Sequence, residues 1–178
     1  MRSLAWTVLL CITTLAMSSS VKAVSIKTGG GVVLDPTSSG GHISFEIPIS
    51  DDYPTYLAPF LEYYSKGGES LMPIGITLLY KAPFSTAFGT IYFGVGGGIL
   101  SIRDRVSLDQ FGIPTTFSAT KALVSAGGGV RINLTERIGF FGQMRWFRPF
   151  SSGDPNQVSV PNRFAFHGGL HFELGSED

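Results

Sequence analysis

The chain has 178 residues with 13 basic and 13 acidic groups, and 15% of its side chains are charged, against about 25% in a soluble globular domain. Hydrophobic residues make up 43%, yet no apolar run reaches the ~20 residues a helix needs to cross a bilayer, which excludes a helical membrane protein. A single cysteine excludes a disulfide scaffold, and balanced charge argues against nucleic acid as a partner.

Residues 1–23 have the organisation of a cleavable signal peptide. Arg2 gives the positive start, Leu4 to Met17 the apolar stretch, and Val21-Lys22-Ala23 the small-residue cleavage site. Cys11 follows Leu10, where a lipid-anchor site would require a small residue. Removing this segment takes away Arg2, Lys22 and Cys11, so residues 24–178 hold 155 residues, 11 basic and 13 acidic groups and no cysteine. They are expected to form one domain.

From residue 24 onward the pattern has a period of two, in segments separated by turn-forming residues. The first segment, 24–34, sets Val24, Ile26, Thr28, Val32 and Leu34 against Ser25, Lys27, Gly29 and Gly31. In 42–49, Ile43, Phe45, Ile47 and Ile49 alternate with His42, Ser44, Glu46 and Pro48. Segment 55–64 carries apolar groups on both faces, Leu57, Leu61 and Tyr63 opposing Ala58, Phe60 and Glu62. Segment 71–81 sets Met72, Ile74, Ile76, Leu78 and Tyr80 against Pro73, Gly75, Thr77 and Lys81. In 87–102, Ile91, Phe93, Val95 and Ile99 face away from Thr90, Gly94, Gly96 and Gly98. Segment 119–134 places Ala122, Val124, Val130 and Ile132 opposite Lys121, Ser125, Gly127 and Arg131. The last two are 138–148, with Phe140, Met144 and Trp146 against Gln143 and Arg145, and 163–174, with Phe164, Phe166, Leu170, Phe172 and Leu174 against His167, Gly169, His171 and Glu173.

Eight such segments predict an all-β fold, an eight-stranded antiparallel up-and-down barrel. Alternation alone does not say which face is inside. The polar face decides it, because it is rich in Gly, Ala and Ser with about one charge per strand. A face exposed to water would be crowded with long polar side chains, whereas the interior of eight strands holds only a few of them. The apolar face has no charge at strand centres, as contact with hydrocarbon requires. The transmembrane orientation follows, and the competing arrangement is a soluble, lipocalin-like periplasmic carrier with its faces inverted. The connections 50–54, 82–86 and 135–137 on one side are short, and 35–41, 65–70, 103–118 and 149–162 on the other include the two longest. This is the asymmetry of bacterial outer-membrane barrels.

Several residue groups invite chemical readings. Gly94 to Gly98 and Gly127 to Gly129 lack the Lys-Ser/Thr and the helix of a phosphate loop, so they read as strand glycines. His167, His171 and Glu173 share a face, but residues four apart on a strand are ~13 Å from each other, too far for His167 and His171 to share an ion. Their role is a polar lumen lining. His42-Ile43-Ser44 has the spacing of the His-x-Ser pair of outer-membrane lipid A deacylases, which this chain resembles in size. That pair lies near the C-terminal strands in those enzymes, where this chain has Arg145 to Ser152 and no histidine. No catalytic residue, cofactor or metal is expected. The inward charges Lys27, Lys81, Lys121, Arg131 and Arg145, against Glu46, Glu62 and Glu173 with Gln143, His167 and His171 among them, are expected to form a structural lumen network. Lys27 with Glu173, and Arg145 with Glu46, are the pairs expected.

Gly127-Gly128-Gly129-Val130-Arg131-Ile132-Asn133-Leu134-Thr135-Glu136-Arg137-Ile138-Gly139-Phe140-Phe141 resembles the glycine-rich strand, tight turn and returning strand of small bacterial outer-membrane barrels. The likeness is to the superfamily of the OmpA membrane domain, OmpX and the opacity proteins. His167-x-Gly169-x-x-Phe172-x-Leu174 is similar to the C-terminal signal read by the barrel assembly machinery of that superfamily. The resemblance implies location in the outer membrane of a Gram-negative bacterium, contact with membrane lipid and lipopolysaccharide, and a non-enzymatic surface, envelope-integrity or adhesion role. Loop 103–118, with Phe111, Ile113 and Phe117 among its polar residues, is the expected site of an extracellular partner. The alternatives are a narrow pore for small anionic solutes, the inverted carrier and a lipid-modifying barrel enzyme.

Overall fold

A computed structural model describes residues 24–34, 37–50, 52–82, 89–108, 113–150 and 161–174, with backbone alone over 104–108 and 113–117. Residues 1–23, the expected signal peptide, lie outside the described residues. The elements are β1 (Val24–Leu34), β2 (Ser38–Pro48), β3 (Thr55–Lys66), β4 (Glu69–Lys81), β5 (Gly89–Leu108), β6 (Ile113–Asn133), β7 (Ile138–Pro149) and β8 (Arg163–Leu174). Each strand pairs antiparallel with its sequence neighbours, and β1 pairs with β8, from Val24↔Leu174 to Leu34↔Phe164, to close the barrel. Closure leaves no strand edge unpaired around the wall, which hydrocarbon does not tolerate.

Register carries a stagger. Val33 pairs with Ser38 across the β1–β2 seam. Followed the other way around the wall, the partners of Val33 run through Ala165, Arg145, Gly127, Gly94, Leu79 and Tyr56 to Pro48. The circuit therefore returns to β2 ten residues from where it should meet, at Pro48 instead of Ser38. That offset, spread over eight steps, tilts every strand relative to the barrel axis.

The side chains divide by parity as the alternation predicts. Outward lie Ile91, Phe93, Val95, Val130, Ile132, Phe140, Leu170 and Leu174, all exposed. Inward lie Ser25, Lys27, His42, Ser44, Glu46, Glu62, Lys121, Ser125, Arg145, His167 and His171, all buried. Tyr80 packs on Phe93 with ring centroids 5.2 Å apart near the end that carries Val24 and Leu174, hereafter the terminal end. Trp146 and Phe164 are register partners toward the opposite, distal end. These positions suit the two interfacial belts of a transmembrane barrel.

Three distal connections depart from the expectation, the first being 35–41, where Ser38 to Gly41 already pair with β1. The span 65–70 is nearly all strand: Lys66 pairs with Glu69, and Gly67 and Gly68 alone make the turn at φ 60° and 99°. Two consecutive positive φ angles define the hairpin turn that suits strand twist, and glycine enters it without strain. The span 103–118 is not a loop. β5 and β6 stay paired from Arg103↔Ser118 to Leu108↔Ile113, leaving 109–112 outside the described residues. The pairing of β4 with β5 reaches only Arg103, and that of β6 with β7 only Leu123. The hairpin therefore rises past the wall as a two-stranded ribbon. Its polar sequence reads as loop, but its residues pair in register with the sister strand.

Val124 is exposed on the outer face and Ser125 is 4% exposed on the inner one. An arginine at Val124 should cost ~2–4 kcal/mol, measured by urea unfolding in lipid vesicles. A lipophilic reagent should label a cysteine at 124 and spare one at 125; the reverse pattern would turn the barrel inside out.

Candidate functional site: the lumen network

The stagger decides which inward residues meet. Arg145 on β7 faces β3 directly across the barrel. Its register row meets β3 at Tyr56 by one route and, through the Val33, Ser38 and Ser39↔Ser65 pairings, opposite Lys66 by the other. The residue at equal height lies midway, at Leu61, and the inward-facing neighbours there are Phe60 and Glu62. Arg145 NH1 indeed stands 3.1 Å from Glu62 Oε1, not beside Glu46. The same tilt displaces the other expected pair. Lys27 lies 2.5 Å from Glu46 Oε1 on the adjacent strand, while Glu173 sits at the terminal rim, 3.6 Å from Arg131. Parity gives the face of a residue but not its height.

Three layers result. Nearest the terminal end, Glu46 is buried between Lys27 and Lys81, with Lys81 Nζ at 3.2 Å from Oε2 and the Ser25 hydroxyl donating to Oε2 at 2.9 Å. Arg131 joins this end through Glu173 and through a 3.1 Å contact with His171 Nε2. The middle layer centres on Glu62. His42 Nδ1 lies 3.3 Å from Oε1, Tyr64 donates its hydroxyl to Oε2 at 2.8 Å, and His167 Nε2 lies 3.5 Å from Oε2. Gln143 Nε2 touches His42 Nε2 at 3.4 Å and His167 Nδ1 at 3.3 Å, and Gln143 Oε1 accepts from Tyr92 at 3.3 Å. Above it, Val33, Tyr64, Leu71, Leu100, Ile102, Leu123, Phe147 and Ala165 form an apolar cluster. At the distal rim Arg163 donates to Glu69 at 3.3 Å. Lys121 is buried in this distal half, where it pairs in register with Leu100.

Charges in so confined a space need compensation from all sides. The cations obtain it from rings as well as carboxylates: Lys27 Nζ lies 3.5 Å from the Tyr92 centroid, Lys81 Nζ 3.6 Å from Tyr56, and the Arg145 guanidinium carbon 3.8 Å from Phe60. A desolvated cation over an aromatic face gains about 2 kcal/mol. A cavity of about 20 Å³ beside Thr77, Ser125, Gln143 and Arg145 is room for about one water, not for a continuous column.

The network therefore contains the expected residues Lys27, Glu46, Glu62, Lys81, Arg131, Gln143, Arg145, His167, His171 and Glu173 together with members the sequence reading left out. Tyr64, Phe60 and Tyr56 share the parity of Glu62 on β3, and Arg163 shares that of His167 on β8. Parity could have found each of them. The segment His42-x-Ser44 also acquires a partner: Ser44 Oγ is 3.1 Å from His42 Nε2, and the other ring nitrogen faces Glu62. This is the connectivity of an acyl-transfer triad. Ser44 is 4% exposed and faces the lumen, while acyl chains would lie on the other face. Glu62 is at the same time engaged by Arg145 and Tyr64.

With this geometry established, the barrel can be set beside known structures. It is similar to Neisserial surface protein A (TM-score 0.63, 15% identity, covering 85% of this chain and 96% of that one). It is similar to the N-terminal β-barrel domain of OprF from Pseudomonas aeruginosa (0.64, 14%, 85% and 97%). It also matches Ail, the attachment invasion locus protein of Yersinia pestis, solved with the heparin analogue sucrose octasulfate (0.53, 10%, 85% and 97%). No family model matches the sequence, and no curated protein matches it. At these identities the likeness is one of fold: the chain is a closed eight-stranded antiparallel transmembrane β-barrel, the fold of these outer-membrane proteins.

Truncating Glu62 to Ala strands Arg145 and should cost ~3–5 kcal/mol in unfolding free energy. Replacing both, Glu62→Ala with Arg145→Met, should recover most of that loss. Urea titration of the four proteins of this cycle reads the coupling; strictly additive losses would dissolve the pair.

Proposed function

We propose that this protein is a non-enzymatic surface protein of the outer membrane of a Gram-negative bacterium, which uses a filled barrel to hold the β5–β6 ribbon out from the membrane toward an extracellular partner. The observation that carries this reading is the ribbon itself, which continues past Arg103 and Leu123 from a wall whose outer face is apolar and whose lumen is packed. Residues 1–23 direct export. The last strand, with His167 and Gly169 inward and Phe172 and Leu174 outward, serves as the signal for the barrel assembly machinery. Membrane lipid and lipopolysaccharide are the immediate surroundings. That Ail was solved with a sulfated heparin analogue favours an adhesion or interaction role over a purely architectural one.

A narrow pore for small anions is the second reading. Its support is the excess of two basic groups among the expected lumen charges, which Arg163 and Glu69, entering as a pair, leave unchanged. The two readings separate in planar bilayers. The purified barrel should be silent, and steady anion-selective conductance at nanosiemens scale would establish the pore instead.

Fractionation tests location: the protein should float with outer membranes and change mobility on SDS gels when heated, whereas recovery in the soluble periplasm would restore the carrier. In intact cells an added protease should cut within 103–118. Protection of that ribbon while other connections are cleaved would remove it as the presenting element.

A further inference from the structure

His42, Glu62 and His167 come from three strands and converge on one buried point. Their ligand-type atoms all lie within 4.8 Å of one another. β1 runs between β2 and β8, and there it presents Gly29 opposite His42 and Gly31 opposite His167. A Cβ on Gly31 would fall 2.6 Å from His167 Cδ2, so the missing side chain is what lets the His167 ring lean across toward His42. The ring centroids of the two histidines are 4.7 Å apart. Ligands at ~2.0–2.1 Å from a tetrahedral zinc stand ~3.3 Å from one another. Here His42 Nδ1 lies 3.3 Å from Glu62 Oε1 and His167 Nε2 3.5 Å from the other oxygen, Oε2, and with one ligand atom from each residue all three fall within 4.8 Å, a spread a small shift of the rings would close to that spacing.

We propose that His42, Glu62 and His167 form a buried binding site for a divalent transition metal of the zinc and copper class, inside the lumen. Two imidazoles and one carboxylate suit such ions and not magnesium or calcium, which take oxygen ligands. The surroundings are arranged as an outer shell. His42 Nδ1 and His167 Nε2 point at the carboxylate, and the far nitrogens, His42 Nε2 and His167 Nδ1, both meet the Gln143 amide. With the ring protons on the nitrogens that face Glu62 and Tyr64, the amide NH2 of Gln143 can serve both far nitrogens. With metal, each imidazole stays neutral and carries its proton on the far nitrogen. A half-turn of the Gln143 amide then offers its oxygen to both, and Ser44 Oγ accepts from His42 Nε2. A carbonyl or hydroxyl accepting from the far nitrogen is what fixes the tautomer of a metal-bound histidine. The Tyr64 hydroxyl, hydrogen-bonded to Glu62 Oε2 and to His167 Nε2, borders the fourth position.

Arg145 opposes the ion. Its NH1 is 3.1 Å from Glu62 Oε1 but makes no hydrogen bond, and the guanidinium is held against Phe60. Its charge weakens the site without occupying a ligand position, and this gives the proposal a signature opposite to that of the ligands.

The test uses the barrel refolded in detergent with Zn2+ alone, dialysed, and assayed for zinc per folded chain, the folded fraction being read from heat-modifiable gel mobility. One zinc per chain is expected for the unaltered protein and for His171→Gln, which removes the lumen histidine outside the cluster. Binding should weaken by more than about tenfold in His42→Gln and in His167→Gln, and tighten in Arg145→Gln. Absence of zinc from the folded, unaltered barrel, or equal loss in His171→Gln and His167→Gln, would overturn the site. Should the ligand variants not fold, electron paramagnetic resonance of the unaltered barrel loaded with Cu2+ decides it: two coupled nitrogens are expected, and a spectrum without nitrogen coupling rejects the site.

Discussion

Eight strands closed with a ten-residue stagger are the constraint from which the rest of this molecule follows. Strand number and stagger together set the tilt and the bore. The bore is narrow enough for the inward side chains of opposite walls to touch, as Arg145 of β7 touches Glu62 of β3. The tilt sets which residues share a height, and hence why Glu62 and not Glu46 receives Arg145. The glycines of β1 are part of the same constraint. A methyl on Gly29 would collide with the carbonyl of Gly168 at the closing seam, so the small residues that make the polar face look empty in the sequence are the ones that let the wall curve shut.

The molecule reverses the usual distribution of polarity, and each face is stable for a different reason. Outside, exposed Ile, Val, Leu and Phe need only hydrocarbon around them. Inside, burial of the charged groups carries a large desolvation cost, which one ion pair apiece would not offset. The structure answers by sharing. Glu46 serves Lys27, Lys81 and Ser25, while Glu62 serves Arg145, His42, His167 and Tyr64. Aromatic rings take up the other side of Lys27, Lys81 and Arg145, two of them from the strand across the lumen. Buried polar networks of this kind hold their members in one arrangement, because any member lost leaves several partners unsatisfied.

How much of this was legible in the sequence differs from element to element. The alternation at His42 to Ile49 and at Arg163 to Leu174 gave the strands and both faces directly, because side-chain direction in a strand has no freedom beyond its period of two. Even β3, apolar on both sides, could be oriented through Glu62. Height was not legible: the partners of Lys27 and Arg145 depend on a register sum around the whole wall, which no local segment contains. The ribbon was missed for a different reason. Arg103, Asp104, Arg105 and Asp109 are the residues expected of a loop, but a strand pair with neither hydrocarbon outside nor a lumen inside has no need of alternation. In the sequence His42 shows only the spacing to Ser44 on its own strand, and its approach to His167 becomes visible only once β1 is known to stand between them with glycine.

The ion pairs that span the bore have a further consequence for how the barrel comes apart. Arg145 with Glu62, and Arg163 with Glu69 at the distal rim, each join diametrically opposed strands, the second pair across 94 residues of sequence. Neither pair can form while the sheet is an open ribbon, since opposite strands meet only after β1 has docked on β8. Such late contacts contribute little to the rate of assembly and act on the reverse step, because interactions absent from the folding transition state slow unfolding. The seam of β1 and β8 is thereby guarded from the inside: prising it apart requires first breaking struts that lie across the lumen, so the filled interior confers persistence in time as well as stability at equilibrium.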